Sequence, residues 1–133
     1  MLTGPILIAG AGAVGSVIGG MLRAAGHQVA LLGRSNHLDA IGRRGLIIDG
    51  RFGHREVHGF ELFHDSGRLR GREFGLIVIA VKSYDTEQMA IHVRDLLGDD
   101  GIAVSAQNGL GNLEIIAAHL GPQRVLSARV IFG

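Results

Sequence analysis

The sequence predicts an α/β fold: a doubly wound, mostly parallel sheet between helices, three layers in all. Short apolar runs alternate with helical patterns of about 10–15 residues, as expected of parallel strands joined by right-handed crossovers. The first run, Pro5 to Ala9, passes straight into Gly10-Ala11-Gly12-Ala13-Val14-Gly15, where a helical pattern begins. The residues just after the predicted strands are glycine or polar, and in such sheets ligands bind outside the carboxyl ends of the strands. Together these observations describe a Rossmann-type sheet with its ligand crevice along one edge.

Each element has its own reason. Pro5 to Ala9 reads as a strand buried on both faces. Val14, Val17, Ile18, Met21 and Ala25 recur at helical spacing, and Gly26 closes that helix in the left-handed conformation. Gln28 to Gly33 is the second strand. Ser35 is placed to cap a short helix carrying Leu38 and Ile41 and ended by Gly45. Leu46–Asp49 and Glu56–Phe63 are β-like runs separated by Gly50 and Gly53, which suggests a hairpin or antiparallel excursion. Ser66 to Gly75 is polar and glycine-rich, a connection with at most a short helix.

Leu76 to Val81 is the clearest strand of the chain. Asp85 is placed to cap the next helix, whose inner face would be Met89, Val93, Leu96 and Leu97, with Gly101 as punctuation. Ile102 to Ala106 forms a further buried strand. Asn112 begins a helix through Ile115, Ile116 and Leu120, stopped by Gly121-Pro122, and Val125 to Phe132 is the last strand.

The glycine turn points to a dinucleotide. Its first glycine makes the tight turn, its second lets the backbone approach a pyrophosphate, and its third lets the helix pack on the strand. The free N–H groups at the helix start then favour the anion. Gly10, Ala11, Gly12, Ala13, Val14 and Gly15 are the expected cofactor-binding turn. Arg34 selects which dinucleotide. It lies 19 residues beyond Gly15, where an NAD site carries an acid for the ribose hydroxyls. The first acid downstream is Asp39. A guanidinium offers planar charged donors to a 2′-phosphate, with Ser35 and Asn36 as supplementary donors, so the expected cofactor is NADP.

Composition narrows the rest. A chain of 133 residues without an obvious linker makes one domain, residues 1–133, able to bury a core. Its net charge of +1 suggests neither a nucleic-acid nor a membrane partner. The absence of cysteine excludes disulfides and thiolate chemistry. Met1 to Leu22 carries no charge, yet Pro5 and the Gly10/Gly12 turn interrupt any spanning helix. A cytoplasmic location is therefore expected.

Lys82, with Ser83, follows the Leu76–Val81 strand, where an ammonium would meet a phosphate or ribose. Asn108, in Gln107-Asn108-Gly109-Leu110-Gly111, could bond to a ribose hydroxyl, a carboxamide or a bound substrate, in a turn that tolerates left-handed backbone. Alone, each reads as readily as a surface charge or a plain Asn-Gly turn; their shared edge favours a site. His54, His58 and His64 lie near Glu56, Glu61 and Asp65, but no metal-ligand spacing is present and no metal site is expected. His27 and His37 flank the second strand, within reach of an adenine, although a surface role is the plainer reading. No residue is assigned as catalytic.

Ile6 to Gly15, Gly33-Arg34 with His37 to Ile41, Gly45-Leu46, Val81-Lys82-Ser83-Tyr84-Asp85-Thr86 and Gln107 to Gly111 occur in that order. The ordered set resembles the N-terminal domain of ketopantoate reductases (2-dehydropantoate 2-reductases) and spans nearly the whole chain. The resemblance implies NADP-dependent reduction of ketopantoate to pantoate, in pantothenate and coenzyme A synthesis. It implies the pyrophosphate on Gly10 to Gly15, the 2′-phosphate on Arg34, and cofactor contacts from Lys82 and Asn108. It also implies a second, helical domain carrying the general-acid lysine and much of the substrate pocket, absent here; Lys82 is the only lysine of the chain. The expectation is a domain that binds NADP(H), takes a small 2-keto acid only when that helical domain is supplied, and is open to self-association along its last strand. The alternatives are a stand-alone dinucleotide-sensing module, or the cofactor domain of a glycerol-phosphate, sugar-nucleotide or opine dehydrogenase.

Overall fold

The computed structural model describes residues 4–51, 53–108 and 110–129, with the backbone alone for Ser35. The elements in chain order are β1 (Ile6–Ala9), α1 (Ala13–Ala24), β2 (Val29–Leu32), α2 (Ser35–Arg44), β3 (Leu46–Gly50), β4 (Gly53–Val57), β5 (Glu61–Phe63), β6 (Phe74–Ile79), α3 (Thr86–Val93), β7 (Leu97–Ser105), α4 (Asn112–Leu120) and β8 (Val125–Ser127). Six strands form one sheet in the order β5-β2-β1-β6-β7-β8, every pairing parallel. The chain winds outward from β1 to β5, returns to β6 beside β1, and winds out again. That reversal places the crevice between the tips of β1 and β6.

Both faces of the sheet are buried, which is why its central strands are aliphatic throughout. Leu7, Ala9, Ala30, Leu32, Ile77 and Ile79 face α3 and α4, joining Ala90, Val93, Ile116 and Leu120. Ile6, Ile8, Val29 and Leu31 face the opposite way, against Leu38 and Ile41 of α2 and Leu46 and Val57 of the hairpin. Each leucine, isoleucine or valine among them removed from water contributes about 1.5–3 kcal/mol. Helix α1 lies close on β1: a β-carbon at Gly19 would sit 3.0 Å from both Ile8 and Leu31 side chains.

The doubly wound sheet, the α1 stop and the α4 stop match expectation. Gly26 has φ 100°, and the His27 N–H reaches back to the Leu22 carbonyl at 3.1 Å.

Other boundaries differ. Glu56–Phe63 is not one run. Its first part pairs antiparallel with β3, then Gly59 turns with φ 88° and β5 joins the main sheet beside β2. Arg34, not Ser35, is the N-cap of α2, with an extended backbone and no side-chain cap bond; the Ser35 side chain lies outside the described atoms. Asp85 precedes α3 without capping it through its side chain, and α3 stops at Val93, so Leu97 belongs to β7.

Gly101 lies inside β7 rather than before it. The β6–β7 register jumps from Phe74↔Leu97 to Leu76↔Ile102, and a β-carbon at Gly101 would come within 2.9 Å of the Phe74 carbonyl. The bulge that only glycine fits is therefore part of the strand. Of the expected last strand, Val125–Ser127 is formed; Val130 to Phe132 lie outside the described residues.

Candidate dinucleotide-binding site

At the carboxyl edge of the sheet a cleft of about 940 Å³ runs from the tip of β5 to the loop after β7. Its floor is the glycine turn. The Gly10 and Ala11 N–H groups both donate to the Leu32 carbonyl at 3.0 Å, which ties the turn to the end of β2. Helix α1 begins at Ala13, so its first N–H groups have no carbonyl one turn earlier in the helix to bond. The turn's three glycines have different surroundings. A β-carbon at Gly10 would lie 2.8 Å from the Val81 side chain, and one at Gly15 would overlap the Gly10 carbonyl oxygen. At Gly12 it would meet nothing within 4 Å. Two of the glycines make the turn fit itself, and the middle one opens onto empty cleft. With no acidic residue in the first turn of α1, the geometry suits a bound anion.

Parallel pairing of β1 and β2 sets Arg34 beside this turn. Gly33 packs against Ala11, where a β-carbon would stand 3.1 Å from that of Ala11. Arg34 is exposed on the cleft rim, and no ion pair engages it among the described residues. Asn36 lies in the exposed first turn of α2.

Lys82 and Asn108 line the same cleft, at the tips of β6 and β7. What positions them is a polar network. The Ser105 hydroxyl donates to Gln107 Oε1 at 2.9 Å, and Gln107 Nε2 donates to the Val81 carbonyl (2.9 Å) and Thr86 Oγ1 (2.7 Å). Thr86 Oγ1 donates to Asn112 Oδ1 at 2.9 Å. Asn112 Nδ2 then donates to Ser83 Oγ (3.2 Å) and the Asn108 carbonyl (3.1 Å), which also accepts from Ser83 Oγ at 3.1 Å. Every side-chain hydrogen in the chain of bonds is donated. The Asn108 backbone is anchored while its side chain stays exposed. Among the described residues no non-glycine has positive φ, so Asn108 does not adopt left-handed backbone; Gly111 does, with φ 89°. Gly109, the second half of the Asn-Gly turn, lies outside the described residues.

The structure adds residues that periodicity did not reveal. Because β5 lies in the main sheet, His64, Asp65 and Ser66 after it become cleft wall beside Arg34. The local signal was three polar residues directly after Glu61-Leu62-Phe63, obscured by reading that segment with the hairpin. Thr86, Gln107 and Asn112 were missed as a network because their partners are 21 and 26 residues apart. His37 lines the cleft and bonds to Ser16, whereas His27 is not among the lining residues. His54, His58 and His64 go to separate carboxylates, Asp49, Glu56 and Asp39. No helix among the described residues is long and apolar enough to cross a membrane.

Known proteins share this arrangement. The 2-dehydropantoate 2-reductase of Pyrococcus horikoshii is 37% identical over 111 residues, covering 84% of this chain and 35% of its own length. The solved PanE/ApbA family ketopantoate reductase from Ralstonia eutropha superposes with a TM-score of 0.79 at 32% identity, over 92% of this chain and 39% of that one. A D-mandelate dehydrogenase solved with NADH and anilino(oxo)acetate gives a TM-score of 0.77 at 26% identity, over 92% of this chain and 39% of that one. This chain thus spans about two fifths or less of the length of these three proteins. From residue 6 to residue 133 it matches the family model described as ketopantoate reductase PanE/ApbA, and it belongs to that family.

Proposed function

We propose that this chain is the NADP(H)-holding part of an oxidoreductase that reduces a 2-keto acid, ketopantoate by family, to its 2-hydroxy acid. The observation that carries the reading is the contrast within the glycine turn. Gly10 and Gly15 are closed against their neighbours, while Gly12 and the start of α1 face open space, with Arg34 standing at the next strand tip. The turn would hold the pyrophosphate, Arg34 the 2′-phosphate, and Lys82 and Asn108 the ribose and carboxamide end. The cofactor, when bound, supplies the hydride. A proton must also reach the developing alkoxide. The resemblance assigns that proton to a lysine of a helical domain, and Lys82 is this chain's only lysine.

Titration of the wild type and Arg34→Ala with NADPH and NADH tests the cofactor reading. The wild type should prefer NADPH, and the substitution should erase a preference of about 1.5–3 kcal/mol, the worth of hydrogen bonds to a charged group. Equal loss of both ligands would make Arg34 structural. The likeness to the D-mandelate dehydrogenase solved with NADH supports a second reading, NADH-dependent chemistry on a bulkier 2-oxo acid. A wild-type preference for NADH would establish it. For turnover, the purified chain should reduce ketopantoate negligibly until a family helical domain is added. Full rate from the chain alone would refute that division of labour, and binding without restored reduction would favour a dinucleotide-sensing module.

Self-association belongs to the same proposal. Strand β8 pairs only with β7 among the described residues, and Leu126 is 58% exposed. Such an edge templates pairing. A dimer in sedimentation that Leu126→Lys dissociates is the expected result, and a monodisperse monomer would contradict it.

A further inference from the structure

Ser16, in the first turns of α1, is 5% exposed, and its hydroxyl makes two contacts. It donates to the Ala11 carbonyl of the glycine turn at 3.2 Å and lies 2.9 Å from His37 Nε2, in the first turn of α2. The proton count decides the direction of the second bond. A hydroxyl has one hydrogen and a carbonyl oxygen has none, so with both bonds formed together the serine proton goes to Ala11. In that arrangement His37 Nε2 carries a hydrogen and donates it to Ser16 Oγ, and Nδ1 is the ring's remaining nitrogen. His37 lines the cleft on the helix whose N-cap is Arg34.

Resting on the NADP(H) reading above, we infer that His37 is a second ligand of the 2′-phosphate and so a determinant of cofactor choice. With Nε2–H held by Ser16, a neutral ring offers the phosphate only a lone pair at Nδ1. The dianion is met when Nδ1 takes a proton from solvent and donates it to a phosphate oxygen, the ring becoming an imidazolium between Ser16 and the ligand. In the first turns of α1 and α2 no carboxylate competes with the phosphate for that proton. Arg34 shares the helix, the first turn of α2 has no acid, and α1 brings no charged residue before Arg23 near its far end. At the neighbouring rim Asp39 faces His64 Nε2 at 3.4 Å, and Asp65 Oδ1 accepts the Gly67 N–H at 2.9 Å. Both of these carboxylates have other partners, and Asp85, a further carboxylate lining the cleft, stands in the turn after Lys82. The serine strut also ties the pyrophosphate turn to the helix bearing Arg34, so the two anion-binding elements hold a set separation.

Calorimetric titration of the whole chain with NADP⁺ and NAD⁺ at pH 7, in buffers of differing ionisation heat, tests this. Binding of NADP⁺ should take up a fraction of a proton, and NAD⁺ none. A phosphate held by Arg34 alone would instead release protons, so the sign separates the two arrangements. His37→Gln should abolish uptake and reduce the preference for NADP⁺ about tenfold, the scale of a charge-assisted bond. Ser16→Ala frees Nε2–H to turn toward the phosphate as a neutral donor, so uptake should fall while much of the preference stays. A wild type that prefers NADP⁺ with no uptake, or a His37→Gln protein that keeps both uptake and preference, overturns the inference and leaves the cofactor reading intact. A wild type with no preference for NADP⁺ overturns both.

Discussion

The Thr86 hydroxyl and the Asn112 side-chain oxygen meet at 2.9 Å where neither residue is more than 4% exposed. This bond joins the start of α3 to the start of α4 directly beneath the loops that carry Lys82 and Asn108. Its members precede and follow β7 in the chain, on two helices that pack on the same face of the sheet. The carboxyl edge is thus braced by polar side chains whose hydrogens are all donated, and it presents its exposed amide and ammonium from that base.

Thr86→Val tests the brace. Valine keeps the shape but leaves Asn112 Oδ1 and one Gln107 Nε2 hydrogen without partners in a closed site. A loss of about 1–3 kcal/mol is expected from two-state urea unfolding. Thr86→Ser retains the hydroxyl and should lose less. A neutral Thr86→Val would mean that water replaces the missing bonds.

The glycine turn separates stability from binding. Gly12 has φ −81° and open space where a side chain would stand, so Gly12→Ala should change unfolding free energy by no more than about 0.5 kcal/mol. Its methyl group enters the cleft, and NADPH affinity should fall at least about tenfold, or 1.4 kcal/mol. Gly15→Ala reverses the ratio. Its β-carbon would collide with backbone, and about 1–3 kcal/mol of stability should be lost by overpacking. Unfolding curves and NADPH titrations of the two variants give both readings.

The edge strand β5 carries a pH-dependent contact. Arg72 grips Glu61 with two bonds of 3.0 and 3.1 Å, Gln28 adds a third, and the guanidinium lies over Phe63 and Phe74. The Arg72 hydrogen bond is the main cause that holds the Glu61 carboxyl below its usual range, and Arg72 is raised in turn. A depressed carboxyl stabilises the folded state above its unfolded pKa. That contribution disappears as pH falls through the lower folded value, while Arg72 stays charged throughout. Both side chains are about a third or more exposed, so the effect should be within about 1 kcal/mol. The unfolding free energy of Glu61→Gln should fall below that of the wild type at pH 7, and the difference should close below pH 4. A difference independent of pH would assign the effect to packing.

Leu69 lies in a 3-10 turn between β5 and β6 and is fully buried among core residues of the α3 face. Leu69→Ala should cost about 2–5 kcal/mol, measured by denaturant midpoint at constant slope. A loss below 1 kcal/mol would show that this connection closes over the cavity.

The alternation of buried strands and helices, the glycine turn, and Arg34 at the second strand tip are all legible in the order of residues alone. These depend on neighbours close in the chain: apolar runs for strands closed on both faces, and glycine where backbone meets backbone. The folded chain was needed to show that Glu61–Phe63 leaves the hairpin for the main sheet, because a three-residue strand carries too little pattern to reveal its partner. It likewise decided that Gly101 sits in a bulge, since what forbids a side chain there is the carbonyl of Phe74 on another strand. The same holds for Ser16 with His37 and Thr86 with Asn112. A hydrogen bond between residues 21 or 26 apart leaves no periodicity, and its partners become legible only once the sheet brings their helices side by side.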